Sequence, residues 1–302
     1  MRTAFIQQLA VEARTNPRVF LLVADLGFSV VEAFAGEFPD RYLNVGVAEQ
    51  NMTGMAAGLA SEGYHVFTYS IANFSTLRCL EQIRNDVCYH GLPVTVVSVG
   101  GGLAYGNLGY SHHAVQDLAI MRTMPGISVF APGDPGETIE SVQWLVKNPG
   151  PSYLRLGKAG EPNLHSVHGV DAGLLKVIDG TAGCALVSTG GMLKTALEAH
   201  KILETAGLSV PVFSLPRLKP ISRSLLTPLH GFGTLIALEE HVVEGGLAAV
   251  LRENLPSWIA VHSAALPESV ANHVGTQDYL RAVGGVSAQD VARLCKERIL
   301  AK

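Results

Sequence analysis

Short apolar runs alternate with longer helical patterns along this 302-residue chain, and this alternation restricts the fold more than any other feature. In the first half, buried strands are predicted at residues 19–24, 42–47, 94–99, 128–131 and 152–156. Residues 137–146 carry apolar side chains at helical spacing, and Asp134 followed by Pro135 is a typical helix start. Strands that alternate with helices are typical of an α/β fold with a mainly parallel sheet.

The chain changes character after residue 156. Residues 157–173 are rich in Gly, Pro, Asn and His without periodicity, and we predict a linker there. A second α/β unit follows, with strands predicted at 185–188, 210–214, 235–238 and 258–262 and helices at 193–206 and 246–254. We therefore predict two doubly wound α/β domains, residues 1–165 and residues 166–302.

Composition narrows the class of partner. Hydrophobic residues make up 48% of the chain and charged residues 16%, and this surplus of apolar surface indicates a subunit interface. A net charge of −4 offers no basic surface to nucleic acid. No apolar run reaches the roughly 18–20 residues that span a bilayer, no signal peptide is evident, and the four cysteines form no Cys-x-x-Cys pair. These features predict a cytoplasmic protein without nucleic-acid or membrane partners.

Residues 46–60 are the most informative segment, because they follow a predicted strand and open a helix built from small residues. Gly54 and Gly58 each destabilise a helix by about 1 kcal/mol relative to Ala, which is tolerated where another backbone must approach closely. Glu49 falls in the first turn, where the helix dipole favours a carboxylate. Taken singly, Glu49 merely suits a helix start and the glycines merely pack. Taken together, the residues form a distinctive string.

That string resembles the glutamate segment of the transketolase superfamily, which includes transketolases, deoxyxylulose-phosphate synthases and the β subunits of 2-oxo-acid dehydrogenases. The resemblance implies a pyrimidine-binding domain followed by a transketolase C-terminal domain, with thiamine diphosphate as cofactor. It implies that Glu49 is the catalytic carboxylate, hydrogen-bonded to the pyrimidine ring nitrogen of the cofactor. A carboxyl group there stabilises the imino form of the neighbouring amine, which removes the thiazolium proton.

More of the first half matches the same family. Residues 23–29 resemble its first strand and following loop, which implies that Asp25 lies near the cofactor and that Ser29 contacts a sugar phosphate. Residues 69–84 resemble the aromatic loop and helix beside the pyrimidine ring, with Phe74 as the stacking side chain. Ile71 lines the same pocket, where transketolases usually carry a second Phe. Outside the family context, Phe74 could equally be an ordinary core aromatic residue.

The glycine-rich residues 100–113 match the loop before a family motif that contains a histidine. The resemblance implies that His112 hydrogen-bonds a substrate oxygen near the reacting carbon. Adjacent His112 and His113 could instead suggest a metal, but no third ligand is evident and we predict none here. Leu108 replaces an Asp that reads a substrate hydroxyl, and Gly100 replaces a His near the phosphate. These departures predict looser or unusual sugar specificity.

Two arginines complete the family pattern. Residues 151–156 match a strand that ends in a phosphate-contacting Arg, which corresponds to Arg155, and Arg2 matches another such Arg. Either Arg alone would be interpreted as a solvated surface charge. Together with Ser29 they form a predicted phosphate clamp, because a guanidinium binds phosphate oxygens bidentately. A sugar phosphate is therefore the predicted substrate.

The resemblance covers essentially the whole chain, but only the last two of the three domains of a full transketolase. The Gly-Asp-Gly motif that holds metal and diphosphate in that family is absent from the sequence. Residues 133–136 (Gly-Asp-Pro-Gly) are a poor substitute, because Pro135 removes a backbone donor. The resemblance therefore implies a partner chain with the N-terminal, diphosphate-binding domain. That partner would bind Mg²⁺ or another divalent ion, in a hetero-oligomer such as a heterotetramer.

The first hypothesis is the C-terminal subunit of a split transketolase, active only with its partner. It would move a two-carbon ketol unit from a phosphorylated ketose to an aldehyde acceptor. Alternatives are the β subunit of a 2-oxo-acid dehydrogenase, a deoxyxylulose-phosphate-synthase-like enzyme and a non-catalytic scaffold relative. His112 within Tyr-Ser-His-His counts against the dehydrogenase, and Glu49 counts against the scaffold. The sugars and the oligomeric state stay open.

Overall fold

The computed structural model describes residues 1–166 and 173–300, which form two sheets flanked by helices. The strands of the first half are β1 (Val19–Val23), β2 (Tyr42–Asn44), β3 (His65–Ile71), β4 (Val94–Val99), β5 (Ser128–Phe130) and β6 (Ser152–Leu156). Those of the second half are β7 (Leu175–Ile178), β8 (Cys184–Ser188), β9 (Val212–Ser214), β10 (Arg217–Lys219), β11 (Thr234–Val242) and β12 (Ala260–Leu266).

The strand order is β10-β5-β6-β4-β3-β1-β2 in the first sheet and β12-β11-β8-β9-β7 in the second. Neighbouring strands are parallel, except that β10 runs antiparallel to β5 and β7 runs antiparallel to β9. Strand β10 belongs to the second half, so the chain returns to complete the edge of the first sheet. The prediction of two doubly wound α/β units is confirmed.

Helices pack on both sheets. Those of the first half are α1 (Arg2–Thr15), α2 (Glu32–Glu37), α3 (Glu49–Ser61), α4 (Ala72–Thr76), α5 (Leu80–Gln82), α6 (Asp117–Thr123) and α7 (Pro135–Lys147). Those of the second half are α8 (Leu193–Thr205), α9 (Leu247–Asn254), α10 (Gln277–Val283) and α11 (Ala288–Leu300). The predicted start of α7 is confirmed: Asp134 caps it by accepting a hydrogen bond from the Glu137 amide at 2.8 Å, and Pro135 opens it.

Strand β3 is the main element that the sequence pattern does not predict. Thr68 and Ser70 interrupt its apolar run, yet all residues from His65 to Ser70 are buried, because helices cover both faces of this central strand. Strands β7 and β10 have four and three residues, which is too short for a clear pattern. The predicted linker includes residues 167–172, which lie outside the described residues. The domain boundary near residue 165 stays a prediction.

The two halves share buried apolar surface. Val129 and Tyr153 of the first sheet and Ala185 and Leu235 of the second belong to one buried cluster. The first sheet also has an edge where the carboxyl ends of strands β1 to β4 meet. In open parallel sheets, ligands bind beyond the carboxyl ends of the strands. The loops that follow β1 to β4 therefore lie where a ligand is expected.

Candidate functional site

Glu49 begins helix α3 and is only 4% exposed. The chain reaches it through Gly46, whose φ of +73° is a conformation that glycine adopts without strain. Thr53 closes the first helical turn, since its hydroxyl donates to the Glu49 carbonyl at 3.0 Å. The loop after β2 and the helix start therefore fix the position of a buried carboxyl group.

Arg78 joins this carboxyl group to the aromatic loop. Its Nη1 donates to Glu49 Oε2 at 3.1 Å, and its guanidinium carbon lies 4.0 Å from the centre of the Phe74 ring. The Gln50 side-chain amide donates to the Arg78 carbonyl at 2.9 Å. Cation–π contact and ion pairing thus place one guanidinium between the predicted catalytic carboxylate and the predicted stacking residue.

His112 completes the cluster. Its ring centre lies 5.1 Å from that of Phe74 in an edge-on arrangement, and its Nδ1 lies 3.0 Å from the Ser111 hydroxyl. Burial, followed by the neighbouring His113 and Arg78, lowers the pKa of His112 below its ordinary value. The imidazole is therefore neutral at neutral pH and can exchange a proton with a ligand.

Asn73 holds the segment that carries His112. Its Nδ2 donates to the carbonyls of Ser111 and His113, both at 3.0 Å. A cavity of about 280 Å³ lies beside Phe74 and Arg78 and is bounded by this segment. Four of the predicted or observed site residues thus meet at one place: Glu49, Phe74, Arg78 and His112.

Asp25 lies on the loop after β1, next to the segment that leads to Glu49. Asn44 joins the two, because its Oδ1 accepts from the amides of Asp25 at 3.1 Å and Gly46 at 3.0 Å, and its Nδ2 lies 3.3 Å from Asp25 Oδ1. Asp25 and Ser29 have φ of +46° and +64°, which is strained for residues other than glycine. Such strain clusters at functional sites.

Arg2 and the Ser29 loop approach the same tyrosine. Burial raises the pKa of Tyr69, and Arg2 lies close enough to oppose that rise. A Cβ on Gly27, in the Ser29 loop, would lie 3.1 Å from the Tyr69 ring. Arg2 Nε is buried and makes no hydrogen bond within residues 1–166 and 173–300. The geometry leaves Arg2 with donor capacity for a ligand.

Arg155 lies apart, between the two halves of the chain, and is 5% exposed. Its Nε lies 3.1 Å from Asp117 Oδ2, and its Nη2 donates to the carbonyls of Ala114 at 2.8 Å and Glu240 at 2.9 Å. It lines a second cavity of about 320 Å³, which shares no lining residue with the smaller one. Its predicted role in the phosphate clamp stays a prediction.

Two replaced loop positions differ in their surroundings. Gly100 has a φ of +83°, and a Cβ there would clash with the Tyr105 ring. The His that many transketolases carry at this position therefore requires a different Tyr105 placement. Leu108 is 58% exposed and leaves room for a larger or charged side chain.

Ile71 ends β3 directly before the helix that carries Phe74.

The cluster fits the pyrimidine end of thiamine diphosphate. Glu49 Oε2 is held by Arg78, while Oε1 makes no hydrogen bond within the part of the chain that the structure describes. Phe74 offers an aromatic wall beside the cavity. When protonated, the carboxyl group can donate from Oε1 to a ring nitrogen, and Phe74 offers an apolar surface, which are contacts that a pyrimidine ring can use.

Metal-binding and membrane-spanning features are absent from the described residues. No group of three or more His, Cys, Asp and Glu side chains there is arranged to hold a metal ion. No helix there is long and apolar enough to cross a membrane.

Arg78, Asn73 and Asn44 are site residues that the sequence pattern does not reveal. Arg78 stands four residues after Phe74, so a helical interpretation of this segment places both on one face. Asn44 lies inside the predicted strand 42–47, whereas in the structure it ends β2, the usual position for a ligand-facing polar residue. Asn73 carries no signal of its own, because its contacts are with a loop 38 and 40 residues away.

Comparison with known proteins identifies both halves of the chain. Residues 1–161 match the family "Transketolase, pyrimidine binding domain", and residues 175–291 match "Transketolase, C-terminal domain". An apulose-4-phosphate transketolase subunit from Phocaeicola vulgatus is 31% identical over 302 residues, covering 98% of this chain and 96% of the relative. The 6-deoxy-6-sulfo-D-fructose transketolase subunit of a Clostridium species is 30% identical, covering 98% and 94%.

A solved transketolase structure is also similar to this chain over nearly its whole length. "Split gene transketolase, inactive beta4 tetramer" superposes with a TM-score of 0.86 at 34% identity, covering 99% of this chain and 97% of that one. Several 1-deoxy-D-xylulose-5-phosphate synthases also match, each over less than half of its own length.

Proposed function

Because this chain belongs to the transketolase family, as a subunit of a split, thiamine-diphosphate-dependent transketolase, we propose that it is active only with a partner chain. The partner would supply the N-terminal, diphosphate-binding domain and hold Mg²⁺. The assembly would transfer a two-carbon ketol unit from a ketose with an anionic end group to an aldehyde. The observation that carries the proposal is the meeting of Glu49, Arg78, Phe74 and His112 at one sheet edge.

Each residue of the cluster has a distinct role in this proposal. When bound, thiamine diphosphate would supply the nucleophilic carbon that ketol transfer requires. Glu49 shares a proton through Oε1 with the pyrimidine nitrogen, while Arg78 fixes the orientation of the carboxyl group. Phe74 excludes water from one side of the ring. Neutral His112 exchanges a proton with a substrate oxygen, a contribution of about 10²- to 10⁴-fold in rate.

Exposed apolar side chains around the cluster support the partner chain. Phe28 and Val47 are 74% and 73% exposed in the loops after β1 and β2. Gly54 and Gly58 on α3 are also exposed, and apart from their chain neighbours and the helix's own backbone, no heavy atom of the described residues lies within 4 Å of a Cβ placed on either. Apolar surface of this kind indicates a protein interface. The close approach predicted at these glycines would then be made by another chain.

The relatives add support for a partner chain. Two of nearly equal length are named as transketolase subunits, and the solved relative that assembles from β chains alone is described as inactive. We propose a hetero-oligomer, such as a heterotetramer. A cytoplasmic location stays a prediction.

We propose that the substrate is a sugar with an anionic end group, and the names of two relatives support this. One relative is named for apulose 4-phosphate and another for a sulfonated fructose, so both names specify a sugar with an anionic end. The residues we propose to face that group are Ser29 and Arg2, whose Nε makes no hydrogen bond among the described residues. Asp25 and Ile71 would lie beside the cofactor.

A deoxyxylulose-phosphate-synthase-like activity is the second candidate, because such synthases match this chain. The test uses this chain, a partner with the diphosphate-binding domain, thiamine diphosphate and Mg²⁺. Ketol transfer between sugar phosphates supports the proposal. Formation of 1-deoxy-D-xylulose 5-phosphate in its place would favour the synthase, and oxidative decarboxylation of a 2-oxo acid would favour the dehydrogenase.

A further inference from the structure

The loop that carries His112 is closed at its base by two backbone hydrogen bonds. The Gly102 amide donates to the Ala114 carbonyl at 2.8 Å, and the Ala114 amide donates to the Gly102 carbonyl at 2.9 Å. His112 lies two residues before the second of these positions. Any shift at the base of the loop therefore moves the imidazole.

Glu240, from the second half of the chain, touches both sides of that base. Its Oε2 packs so closely on Gly102 that a Cβ there would clash with it. Its carbonyl accepts from Arg155 Nη2 at 2.9 Å, and the same nitrogen donates to the Ala114 carbonyl at 2.8 Å. One residue of the second half thus contacts Gly102 directly and Ala114 through Arg155.

The Glu240 carboxylate is itself held firmly. Arg281 Nε donates to it at 2.6 Å, and Gln277 Nε2 lies 2.9 Å and 3.1 Å from its two oxygens. Its side chain is 7% exposed, so the ion pair with Arg281 is largely shielded from water. Removing one partner of such a pair leaves the other buried and uncompensated.

The same helix region supports the middle of the loop. The Gly275 amide donates to the Gly106 carbonyl at 3.3 Å. A Cβ on Gly106 would clash with Leu280, so helix α10 packs directly on the loop backbone. Asn73 of the first half holds the opposite side, at Ser111 and His113.

We propose that Glu240 is a positioning residue for His112, and that the C-terminal half serves the reaction by holding this loop in place. The inference rests on the proposed function only in giving His112 a role in ketol transfer. In this proposal the C-terminal domain affects the reaction through the position of the loop, and none of its side chains contacts the substrate. Misplacement of a catalytic group by about 1 Å lowers the rate roughly 10²-fold.

The test combines hydrogen–deuterium exchange with kinetics of the reconstituted enzyme. Glu240→Ala removes the carboxylate, and Gln277→Ala is a milder variant that removes only two of its hydrogen bonds. Glu253→Gln is the control, because Glu253 pairs with Arg122 at 2.6 Å across the two halves, while no hydrogen bond among the described residues joins it to residues 102–114. If Glu240→Ala does not fold, Gln277→Ala carries the test.

In Glu240→Ala, exchange at residues 102–114 should rise about 10-fold or more relative to helix α1. Its kcat should fall about 10- to 100-fold with KM within about threefold of wild type, and Gln277→Ala should show the same pattern more weakly. Glu253→Gln should change neither. A lower melting temperature with unchanged loop exchange and unchanged kcat would overturn the inference. If wild type shows no ketol transfer, the proposed function fails, and the exchange result alone decides whether Glu240 holds the loop.

Discussion

Arg78 Nη1 lies 3.1 Å from Glu49 Oε2, and the two side chains differ sharply in burial: that of Arg78 is 49% exposed, whereas that of Glu49 is 5% exposed. The carboxyl group is therefore shielded from water, whereas the guanidinium is open to solvent and to a ligand. Since Arg78 also stacks on Phe74, entry of a planar ring between them would affect both contacts. Substitutions in this cluster should therefore change proton transfer more than they change the fold.

Glu49→Gln should keep the fold but lose most turnover. The amide can still reach a ring nitrogen, but it cannot carry the proton, so kcat should fall about 10²- to 10⁴-fold. The measurement is ketol transfer with the partner chain, alongside circular dichroism of the variant. Glu62→Gln, at the exposed end of the same helix, is the control. A Glu49→Gln enzyme within a few-fold of wild type would refute the assignment.

Arg78→Met should raise the pKa of His112. Burial is the largest cause of the lowered pKa in wild type, and the Arg78 cation adds to it. Removal of Arg78 should therefore return the pKa of His112 part of the way to its ordinary value. His112 would then become protonated at higher pH, and the acid limb of kcat/KM would move upward in pH. Titration of His112 by NMR measures the shift directly. An unchanged pKa, or the same shift in the exposed control Arg84→Met, would contradict this prediction.

His65 should make the fold sensitive to acid. Burial lowers the pKa of His65 from 6.5 to about 4, so between these values the unfolded chain binds more protons than the folded one. The free energy of unfolding should therefore fall as the pH drops from 6.5 to about 4, by about 3 kcal/mol in all. His65→Phe, which can still stack on Phe67, should show a flatter profile in urea denaturation. Parallel pH profiles for wild type and variant would show that His65 does not contribute to the pH dependence of the free energy of unfolding.

Leu108→Asp should sharpen discrimination between epimeric sugars. Leu108 is 58% exposed, so the charge should be tolerated, and surface substitutions usually change stability by less than about 0.5 kcal/mol. The new carboxylate can accept a hydrogen bond from the hydroxyl of one epimer but is left unpaired by the other. The ratio of kcat/KM between the two epimers should therefore change about 10-fold. Leu108→Ala is the control that removes the leucine without adding an acceptor. An equal ratio in both variants would mean that position 108 does not face the sugar.

The sequence predicts the fold class and the place of Glu49, because residues 46–60 combine a strand end, a helix start and small residues in one continuous string. It does not predict β3, since a strand buried on both faces can include Thr68 and Ser70 without alternation. Nor does it predict the meeting of Phe74 with His112, which depends on how two separate loops fold.

Contacts between residues far apart in the sequence are also hidden from local patterns. The position of Arg155 at a strand end is typical of a ligand-binding residue, yet the structure pairs it with Asp117, 38 positions earlier in the chain. Its further contact with Glu240 spans 85 positions. Such pairings are set by tertiary packing, and no periodicity or motif within a single segment indicates them.

The most direct test of the split-enzyme proposal is a titration of the partner chain into this one. With thiamine diphosphate and Mg²⁺ in excess, ketol transfer should be absent without the partner, rise as the partner is added and level off at equimolar chains. Thiamine diphosphate should bind weakly to this chain alone and tightly to the mixture, because the proposal assigns the diphosphate and metal to the other polypeptide. Full ketol transfer by this chain alone would contradict the proposal.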